Sequence, residues 1–342
     1  MTIMNAEATE RTFTYPSMDA KVIEDLKKAG YRRIALQVPG GLIPQMSGLV
    51  QEIEGGTGAS VIHVARPCFG ACDPPDHDEM GGAEALIAMG HAPIPNMPHP
   101  IPTHLVEMRS TMVNTIPLVN LVVKSGLPKK LGGVASIQHI DLLHPLAAAL
   151  KEEGYSLQVG TGGKRLGYPG QALGCNYSSA TSIEPNVDGF LLLGTGTFHP
   201  MGLALSVSKP VWSLDPLQTL IDGPLDRETM VKKRLLEIGR AMDARNWGIL
   251  TSTFAGQLRM PLAEKLREKA RERGRDAGIL TFGRLDPSDL VGLHLDAYVV
   301  TACPRIALDD GHMFNKPILT PPEFLSAIGD RPLTPYLFDT FP

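Results

Sequence analysis

The sequence predicts an α/β protein made of three similar domains, each built around a parallel β-sheet. Short apolar runs of strand length alternate with longer amphipathic stretches along all 342 residues, which is the βαβ rhythm of parallel sheets. Aromatic residues make up only 6% of the chain, whereas there are 35 glycines and 29 prolines, as expected when many tight turns connect the elements. The same order of elements then occurs three times.

The first third contains two runs that predict buried strands, RRIALQV at 32–38 and ASVIHVA at 59–65. Between them, PGGLIPQMSGLVQEIE predicts a helix that is entered through a glycine turn. The run EALIAMG at 84–90 predicts a short helix and a strand. A strand, a helix and a further strand in this order indicate a crossover between parallel strands.

The middle third repeats this order. GGVASIQH at 132–139 predicts a strand and DLLHPLAAALKEEG at 141–154 a helix with leucines on one face. YSLQVG at 155–160 and DGFLLLG at 188–194 predict further strands. The second unit is therefore expected to resemble the first.

The last third follows the same order again. NWGILTST (246–253), DAGILTF (276–282) and DAYVVTA (296–302) predict strands, and MPLAEKLREKARERG (260–274) predicts a helix. NKPILTPPEF (315–324) predicts a final strand and turn. The repetition indicates Rossmann-like domains related by internal duplication and packed around a common centre. We place the domains at 1–118, 119–225 and 226–342.

Composition and charge exclude several classes of function. The formal net charge of −4 argues against a nucleic-acid-binding protein with a broad basic surface. The first residues contain no apolar core of a signal peptide, and no apolar run is long enough to cross a bilayer. We therefore expect a cytoplasmic protein that uses neither a membrane nor direct contacts to nucleic acid.

The four cysteines are placed unevenly for a protein that would use them only as core residues. Cys68, Cys72, Cys175 and Cys303 all lie within two residues of Gly, Pro or Asn, at the ends of apolar runs. One cysteine motif falls in each predicted domain, and ligands collect at the carboxyl ends of parallel strands. Three thiolates that meet there would suit zinc or an iron–sulfur cluster.

Two other interpretations of the cysteines stay open at this point. Cys68, Cys72 and His77 form C-x₃-C-x₄-H, which would suit a local zinc site. Each cysteine could also be a small buried apolar residue. The usual radical-enzyme arrangement, with three cysteines in one short segment, is absent from the sequence.

Three segments together carry a resemblance to a known family. CFGACD (68–73), GQALGCN (170–176) and TACPRIALDDG (301–311) resemble the three cysteine motifs of the diphthamide-biosynthesis enzymes in their archaeal homodimeric form. GTGTFHPMG (194–202) and KPILTPPE (316–323) are similar to further family segments in the same order. The resemblance runs from about residue 30 to about residue 325.

The resemblance implies three α/β domains, each with one cysteine that binds a [4Fe–4S] cluster. The implied activity transfers a 3-amino-3-carboxypropyl group from S-adenosylmethionine to C2 of a histidine imidazole in translation elongation factor 2, and releases 5′-methylthioadenosine. The cluster ligands carried over by motif are Cys72, Cys175 and Cys303, and Cys68 lies at a position that the family does not require. A homodimer and an external electron donor are implied as well.

Residues for S-adenosylmethionine are expected after a strand of the second domain and after Cys303. Gly194, Gly196 and His199 lie where backbone amides can approach a carboxylate or a ribose, although a tight turn with a packed Phe is an equal alternative. Arg305 could orient the substrate or form a structural pair with Asp309. No residue is assigned a catalytic role. A partner subunit that only passes electrons is a further alternative.

Overall fold

Three mainly parallel β-sheets form the frame of the protein. The computed structural model describes residues 18–111 and 114–342. The first sheet contains β1 (Arg33–Gln37), β2 (Ser60–His63), β3 (Ala85–Met89) and β4 (Thr103–Val106). The second contains β5 (Lys130–Ala135), β6 (Ser156–Gln158), β7 (Gly189–Leu193), β8 (Val211–Asp215) and β9 (Leu220–Asp222). The third contains β10 (Asn246–Ser252), β11 (Asp276–Phe282), β12 (Ala297–Val300) and β13 (Ile318–Leu319).

The strand order is the same in each sheet, which confirms the expectation of three similar parallel-sheet units. The orders are β2-β1-β3-β4, β6-β5-β7-β8 and β11-β10-β12-β13. These neighbours all pair in parallel, and β9 extends the second sheet by an antiparallel pairing with β8. In each unit the first strand therefore lies between the second and the third. The second strand is added on one side of the first strand and the third on the other side, so the order of the strands reverses at the first strand.

Helices cover the sheets and connect their strands. Their bounds are α1 (Ala20–Ala29), α2 (Met46–Thr57), α3 (Ile116–Lys124), α4 (Leu143–Glu152), α5 (Ser178–Thr181), α6 (Phe198–Ser206), α7 (Arg227–Ala241), α8 (Met260–Glu272), α9 (Arg305–Leu308) and α10 (Pro321–Ala327). Short 3₁₀ segments occur at Gly40–Gln45, Ile137–Leu142, Glu184–Asn186, Pro287–Leu290 and Gly311–Met313. Within the described ranges, no helix is long and apolar enough to span a membrane.

The central strands are buried on both faces because helices pack on both sides of the sheets. Every residue of β3 and of β7 is buried, and both strands are continuous apolar runs, as parallel strands between two helical layers require. In α8, Ala263, Leu266 and Ala270 form the buried face, and Lys269 and Arg271 lie in the last turn, where positive charge favours a helix end.

Two expectations for individual elements differ from the structure. Residues 84–90 contain only strand β3 and no helix, because this run lies fully buried beside β1. After β13 the chain forms helix α10 rather than a turn. Thr320 and Glu323 form a capping box at its start, and this box stabilises the first turn.

The domain boundaries at 118 and 225 stay a prediction. No strand crosses either position. Position 118 lies within α3, and the buried face of this helix, Leu118, Val119 and Val122, packs with the core of the second sheet. Phe338, which follows the third sheet in the chain, also packs in the second unit.

Candidate functional site

The loop that carries Cys72 follows β2 and is fixed by polar contacts at the edge of the first sheet. Gln37, the last residue of β1, donates from Nε2 to the backbone oxygen of Asp73 at 3.2 Å. Arg66 binds the Asp73 carboxylate, with 2.5 Å between Nη1 and Oδ1, and the Glu79 carboxylate, with 2.9 Å between Nε and Oε1. These contacts hold the Cys72 loop from both sides.

The loop that carries Cys175 is attached to the end of β5. The backbone N–H of Ala172 donates to the oxygen of Ala135 at 2.8 Å, so the loop continues the second sheet beyond the strand. Leu173 and Asn176 then exchange two backbone hydrogen bonds of 3.0 Å. This tight turn presents the buried Cys175 at the carboxyl edge of the sheet.

Cys303 follows β12 and is joined to Cys72 through one side chain. The backbone N–H of Cys303 donates to Oε1 of Gln257 at 3.3 Å, and Nε2 of Gln257 lies 3.6 Å from Sγ of Cys72. The neighbouring Gly256 packs so closely that a Cβ there would lie 2.4 Å from Cα of Cys72. The loops of the first and third units are therefore in direct contact at the two cysteines.

The three thiols lie within electrostatic reach of one another. Burial raises the pKa of Cys72 well above the usual thiol value, and the charges of Cys175 and Cys303 raise this pKa further. Burial and the charge of Cys175 raise the pKa of Cys303 to about 12. Burial also raises the pKa of Cys175, and the positive charges of Arg165 and Arg259 oppose that rise. Three crowded thiols of this kind are neutral unless a cation binds them.

The donor set fits a multi-iron cluster and does not fit a single metal ion. Within residues 18–111 and 114–342, no group of three or more His, Cys, Asp or Glu side chains could hold one metal ion. The local zinc interpretation fails because His77 is exposed and Cys68 contacts His91, with 3.6 Å between Sγ and Nδ1. A [4Fe–4S] cluster takes each thiolate on a different iron, so it accepts thiols that come from three separate loops.

A comparison with protein families identifies the group to which this arrangement belongs. The family model described as "Putative diphthamide synthesis protein" matches residues 38–336. The chain belongs to the diphthamide synthesis family. The expected resemblance is thereby confirmed over most of the sequence.

Individual relatives within the family agree over nearly the whole chain. A Pyrococcus horikoshii protein named 2-(3-amino-3-carboxypropyl)histidine synthase is 34% identical over 315 residues, which cover 91% of this chain and 90% of the relative. Subunit 1 of the mouse synthase of that name is 28% identical and covers 91% of this chain and 71% of the relative. The crystal structure of Dph2 from Pyrococcus horikoshii with a 4Fe-4S cluster superposes with a TM-score of 0.85 at 33% identity, covering 95% of this chain and 94% of that chain.

A second group of side chains lies next to the cysteines of this diphthamide synthesis protein. The guanidinium of Arg305 lies over the ring of Phe198, with 4.1 Å between Cζ and the ring centroid. A Cβ on Gly174, in the Cys175 loop, would lie 2.5 Å from the Phe198 ring and 3.6 Å from Cγ of Arg305. Arg305 and Phe198 therefore adjoin the Cys175 turn directly.

The structure also brings His199 into this group. Burial lowers the pKa of His199 to about 4, and the charges of Arg305 and His91 lower it further. Burial likewise lowers the pKa of His91 to about 4. Both histidines are therefore neutral at pH 7, and His199 lies within electrostatic reach of both His91 and Arg305.

The two glycines that were expected to contact S-adenosylmethionine lie between β7 and α6. Gly194 is buried at the end of β7, where a Cβ would meet Leu192 at 3.1 Å. Gly196 has a φ of 69°, a conformation that favours glycine. The alternative of a tight turn with a packed Phe also agrees with the structure, because Phe198 at the start of α6 packs against Gly174 and Arg305.

The contacts of Arg305 agree with both roles considered for it, a structural pair with Asp309 and a contact to the substrate. Its Nη2 lies 2.6 Å from Oδ2 of Asp309, so the expected Arg–Asp pair exists. Its Nε and Nη1 are buried and lack a hydrogen-bond partner among the residues that the structure describes. Two buried donors beside the Cys175 turn thus remain without a partner in the described part of the chain.

Sequence reasoning did not identify Gln257, Arg165 or Arg259 as parts of the site. Gln257 lies in a loop between β10 and α8 that has no periodic pattern, and nothing in the sequence distinguishes it from a surface glutamine. Arg165 lies 10 residues before Cys175 but binds Gly256, 91 residues away. Arg259 lies directly before α8 and binds Thr301 and Asp339. Only the folded arrangement identifies these three residues.

Proposed function

We propose that this protein performs the first step of diphthamide biosynthesis. It transfers a 3-amino-3-carboxypropyl group from S-adenosylmethionine to C2 of a histidine imidazole in translation elongation factor 2. The observation that carries the proposal is the convergence of one cysteine from each of the three parallel-sheet units. Gln257 contacts both Cys72 and Cys303, and burial together with the charge of Cys175 raises the pKa of both. The synthase name of the Pyrococcus relative supports the same reaction.

Cys72, Cys175 and Cys303 are the residues that would hold a [4Fe–4S] cluster, and three protein ligands leave one iron available to S-adenosylmethionine. When bound, the cluster supplies one low-potential electron for cleavage of the bond between the sulfonium sulfur and Cγ of the aminocarboxypropyl group. Gln257 stabilises the geometry by bonding to the Cys72 thiol and the Cys303 backbone. Cys175 is buried and Cys72 and Cys303 are half-buried, which limits access of water to the reaction.

Arg305 is the residue that we propose for the carboxylate of S-adenosylmethionine. Its Nε and Nη1 are buried donors without a partner within the described residues. A buried donor that makes no hydrogen bond costs free energy, because it has lost its contact with water. A carboxylate accepts two guanidinium N–H groups in one plane. The Phe198 ring orients the guanidinium from one side and Asp309 orients it through Nη2.

Gly194, Gly196 and His199 are the further residues that we propose to contact S-adenosylmethionine. The turn between β7 and α6 lies at the carboxyl end of a parallel strand, where ligands bind in sheets of this kind. Gly196 lets the backbone turn close to a ligand because it carries no Cβ. His199 is neutral at pH 7, as its pKa of about 4 requires, so it can accept a hydrogen bond from the amino group or the ribose.

The partners follow from the reaction. The protein substrate is elongation factor 2, an external donor supplies the electron, and two copies of this chain form a homodimer in the cytoplasm, where translation takes place. Membrane contact and direct nucleic-acid binding have no role in this chemistry. These partners are proposals that rest on the family relationship.

Product analysis tests the proposed reaction. Anaerobically reconstituted protein, dithionite, S-adenosylmethionine and purified elongation factor 2 should yield 5′-methylthioadenosine and a mass increase on one histidine of the factor. Release of 5′-deoxyadenosine alone would contradict the proposal. The same assay decides the electron-transfer alternative, because a partner subunit that only passes electrons would release no methylthioadenosine when tested by itself.

A further inference from the structure

The last residues of the sequence pack into the cysteine site although they form neither a helix nor a strand. Asp339 and Phe341 are only 5% and 3% exposed. The backbone N–H of Phe341 donates to the oxygen of Cys175 at 2.9 Å. In return, Nδ2 of Asn176 donates to the oxygen of Phe341 at 2.6 Å. We call residues 338–342 the closing segment. It follows the third unit in the chain and forms hydrogen bonds to the turn of the second unit that carries Cys175.

Asp339 connects the closing segment to the loop of Cys303. Its carboxylate forms a bidentate ion pair with Arg259, with 3.0 Å between Oδ1 and Nη1 and 2.5 Å between Oδ2 and Nη2. Nε of Arg259 donates to the backbone oxygen of Thr301 at 2.6 Å, two residues before Cys303. A planar pair of this kind fixes the orientation of the guanidinium as well as its position.

Phe341 connects the same segment to the loop of Cys72. The guanidinium carbons of Arg165 and Arg259 lie 4.6 Å and 3.9 Å from the Phe341 ring centroid. Nη2 of Arg165 donates to the oxygen of Gly256 at 2.6 Å, and Gly256 packs against Cys72. The contacts of two buried side chains thus reach all three cysteine loops.

We propose that Asp339 and Phe341 are positioning residues for the iron–sulfur cluster. They hold Arg165 and Arg259 against Cys175, keep the three cysteine loops at a fixed separation, and thereby set how firmly the cluster is retained and at what potential it is reduced. The inference rests on the proposed function, because it requires that the three cysteines share a cluster. Both residues lie beyond position 336, where the match to the family model ends.

The electrostatic part of the inference has a definite sign. Cys175 lies within electrostatic reach of Arg165 and Arg259, and Asp339 neutralises part of the charge of Arg259. Reduction adds one negative charge to the cluster, so nearby positive charge favours the reduced form. Removal of the Asp339 charge should therefore make the potential less negative.

Asp339→Asn and Phe341→Ala test the inference, each with a matched control. Asp330→Asn removes the same charge from ion pairs with Lys269 and Arg273, at the far end of α8. Phe314→Ala removes a ring that packs on Tyr298 in the third unit. Anaerobically reconstituted proteins would be compared by the rate of iron loss to a chelator and by an EPR-monitored redox titration.

We expect both test variants to lose iron about tenfold to a hundredfold faster than the wild type, as for other residues that orient metal ligands. Asp339→Asn should also show a less negative potential, and Phe341→Trp should restore slow iron loss. Test variants that match their controls in iron loss and potential would overturn the inference. Failure of the proposed function looks different, since the wild type itself would then either take up no cluster or release no 5′-methylthioadenosine in the product assay, whatever the iron loss of the variants.

Discussion

The guanidinium of Arg305 lies over the ring of Phe198, with 4.1 Å between Cζ and the ring centroid. The two residues belong to different units, because Arg305 begins α9 of the third and Phe198 begins α6 of the second. The stacking orients two buried N–H donors that have no partner in the part of the chain that the structure describes. An anionic ligand is the natural partner for donors in this state.

The first prediction concerns the affinity for S-adenosylmethionine. Arg305→Met should weaken binding about tenfold to a hundredfold, since a hydrogen bond to a charged group contributes about 1.5 to 3 kcal/mol. The affinity of Arg305→Lys should lie between those of the wild type and Arg305→Met, because an ammonium keeps the positive charge but cannot form a planar bidentate pair with a carboxylate. Anaerobic equilibrium dialysis measures this affinity, with Arg240→Met on the exposed side of α7 as the control. Unchanged affinity with full iron content would contradict the assignment.

The second prediction concerns stability at acid pH. His91 contacts the thiol of Cys68, with 3.6 Å between Nδ1 and Sγ, and His199 lies within electrostatic reach of His91 and Arg305. Because burial lowers the pKa of each histidine to about 4 in the folded protein, the unfolded chain takes up protons first, near pH 6.5. The free energy of unfolding should therefore fall as the pH drops from about 6.5 to about 4, by at most about 1.4 kcal/mol per pH unit for each histidine.

Urea unfolding of the iron-free protein across this pH range measures the effect. His199→Gln should flatten the profile because a glutamine takes up no proton. His144→Gln, which changes an exposed histidine of α4, should leave the profile as it is. Equal slopes in the wild type and His199→Gln would show that His199 does not titrate as described.

The third prediction concerns the contact between the first and third units. Gly256→Ala would place a Cβ 2.4 Å from Cα of Cys72 and 2.8 Å from its backbone oxygen. Backbone atoms cannot move aside as a flexible side chain can, so we expect a loss of about 1 to 3 kcal/mol in stability together with reduced iron uptake. Melting temperature and iron content measure the two effects.

Gly239→Ala is the matched control for this substitution. It lies inside α7 with no atom within 4 Å of the added Cβ, and alanine should stabilise the helix by about 1 kcal/mol. The two variants should thus change the melting temperature in opposite directions. A Gly256→Ala protein with wild-type stability and iron content would contradict the close packing.

The fourth prediction concerns a buried ion pair that joins the helices of the third unit. Arg234 of α7 binds Glu323 of α10 through two hydrogen bonds of 2.8 and 2.7 Å. Arg234 also donates to the backbone oxygens of Ala307 and Ile318 at 2.9 Å. Glu323→Gln leaves the buried guanidinium without its countercharge and should cost about 3 to 5 kcal/mol.

Denaturant unfolding monitored by circular dichroism measures this cost. Glu228→Gln breaks an exposed pair with Lys232 and should change the stability by less than about 1 kcal/mol. A Glu323→Gln protein as stable as Glu228→Gln would mean that the pair does not hold the helices together.

Most strands were predictable because apolar runs of strand length alternate with helical patterns, and every run described above as a strand contains one. Strands β4, β8 and β9 lie in segments for which no strand was predicted. Convergence of the cysteines followed from their positions after such runs. Helix α6 was harder to predict than the turn before it, because Pro200 and Gly202 lie within its nine residues and both are poor helix formers. The closing segment carries no periodic pattern, so the burial of Asp339 and Phe341 depends on partners that are distant in sequence and cannot be predicted from the sequence alone.

The most direct test of the account is the iron content of four single variants after anaerobic reconstitution, measured together with their EPR spectra. Cys72→Ala, Cys175→Ala and Cys303→Ala should each lose the cluster, because each removes one of three thiolates from separate units. Cys68→Ala should keep full iron content and the reduced-cluster signal, because Cys68 contacts His91 and Gly70 instead. Loss of iron in Cys68→Ala with retention in Cys303→Ala would contradict the central claim that cysteines 72, 175 and 303 share one cluster.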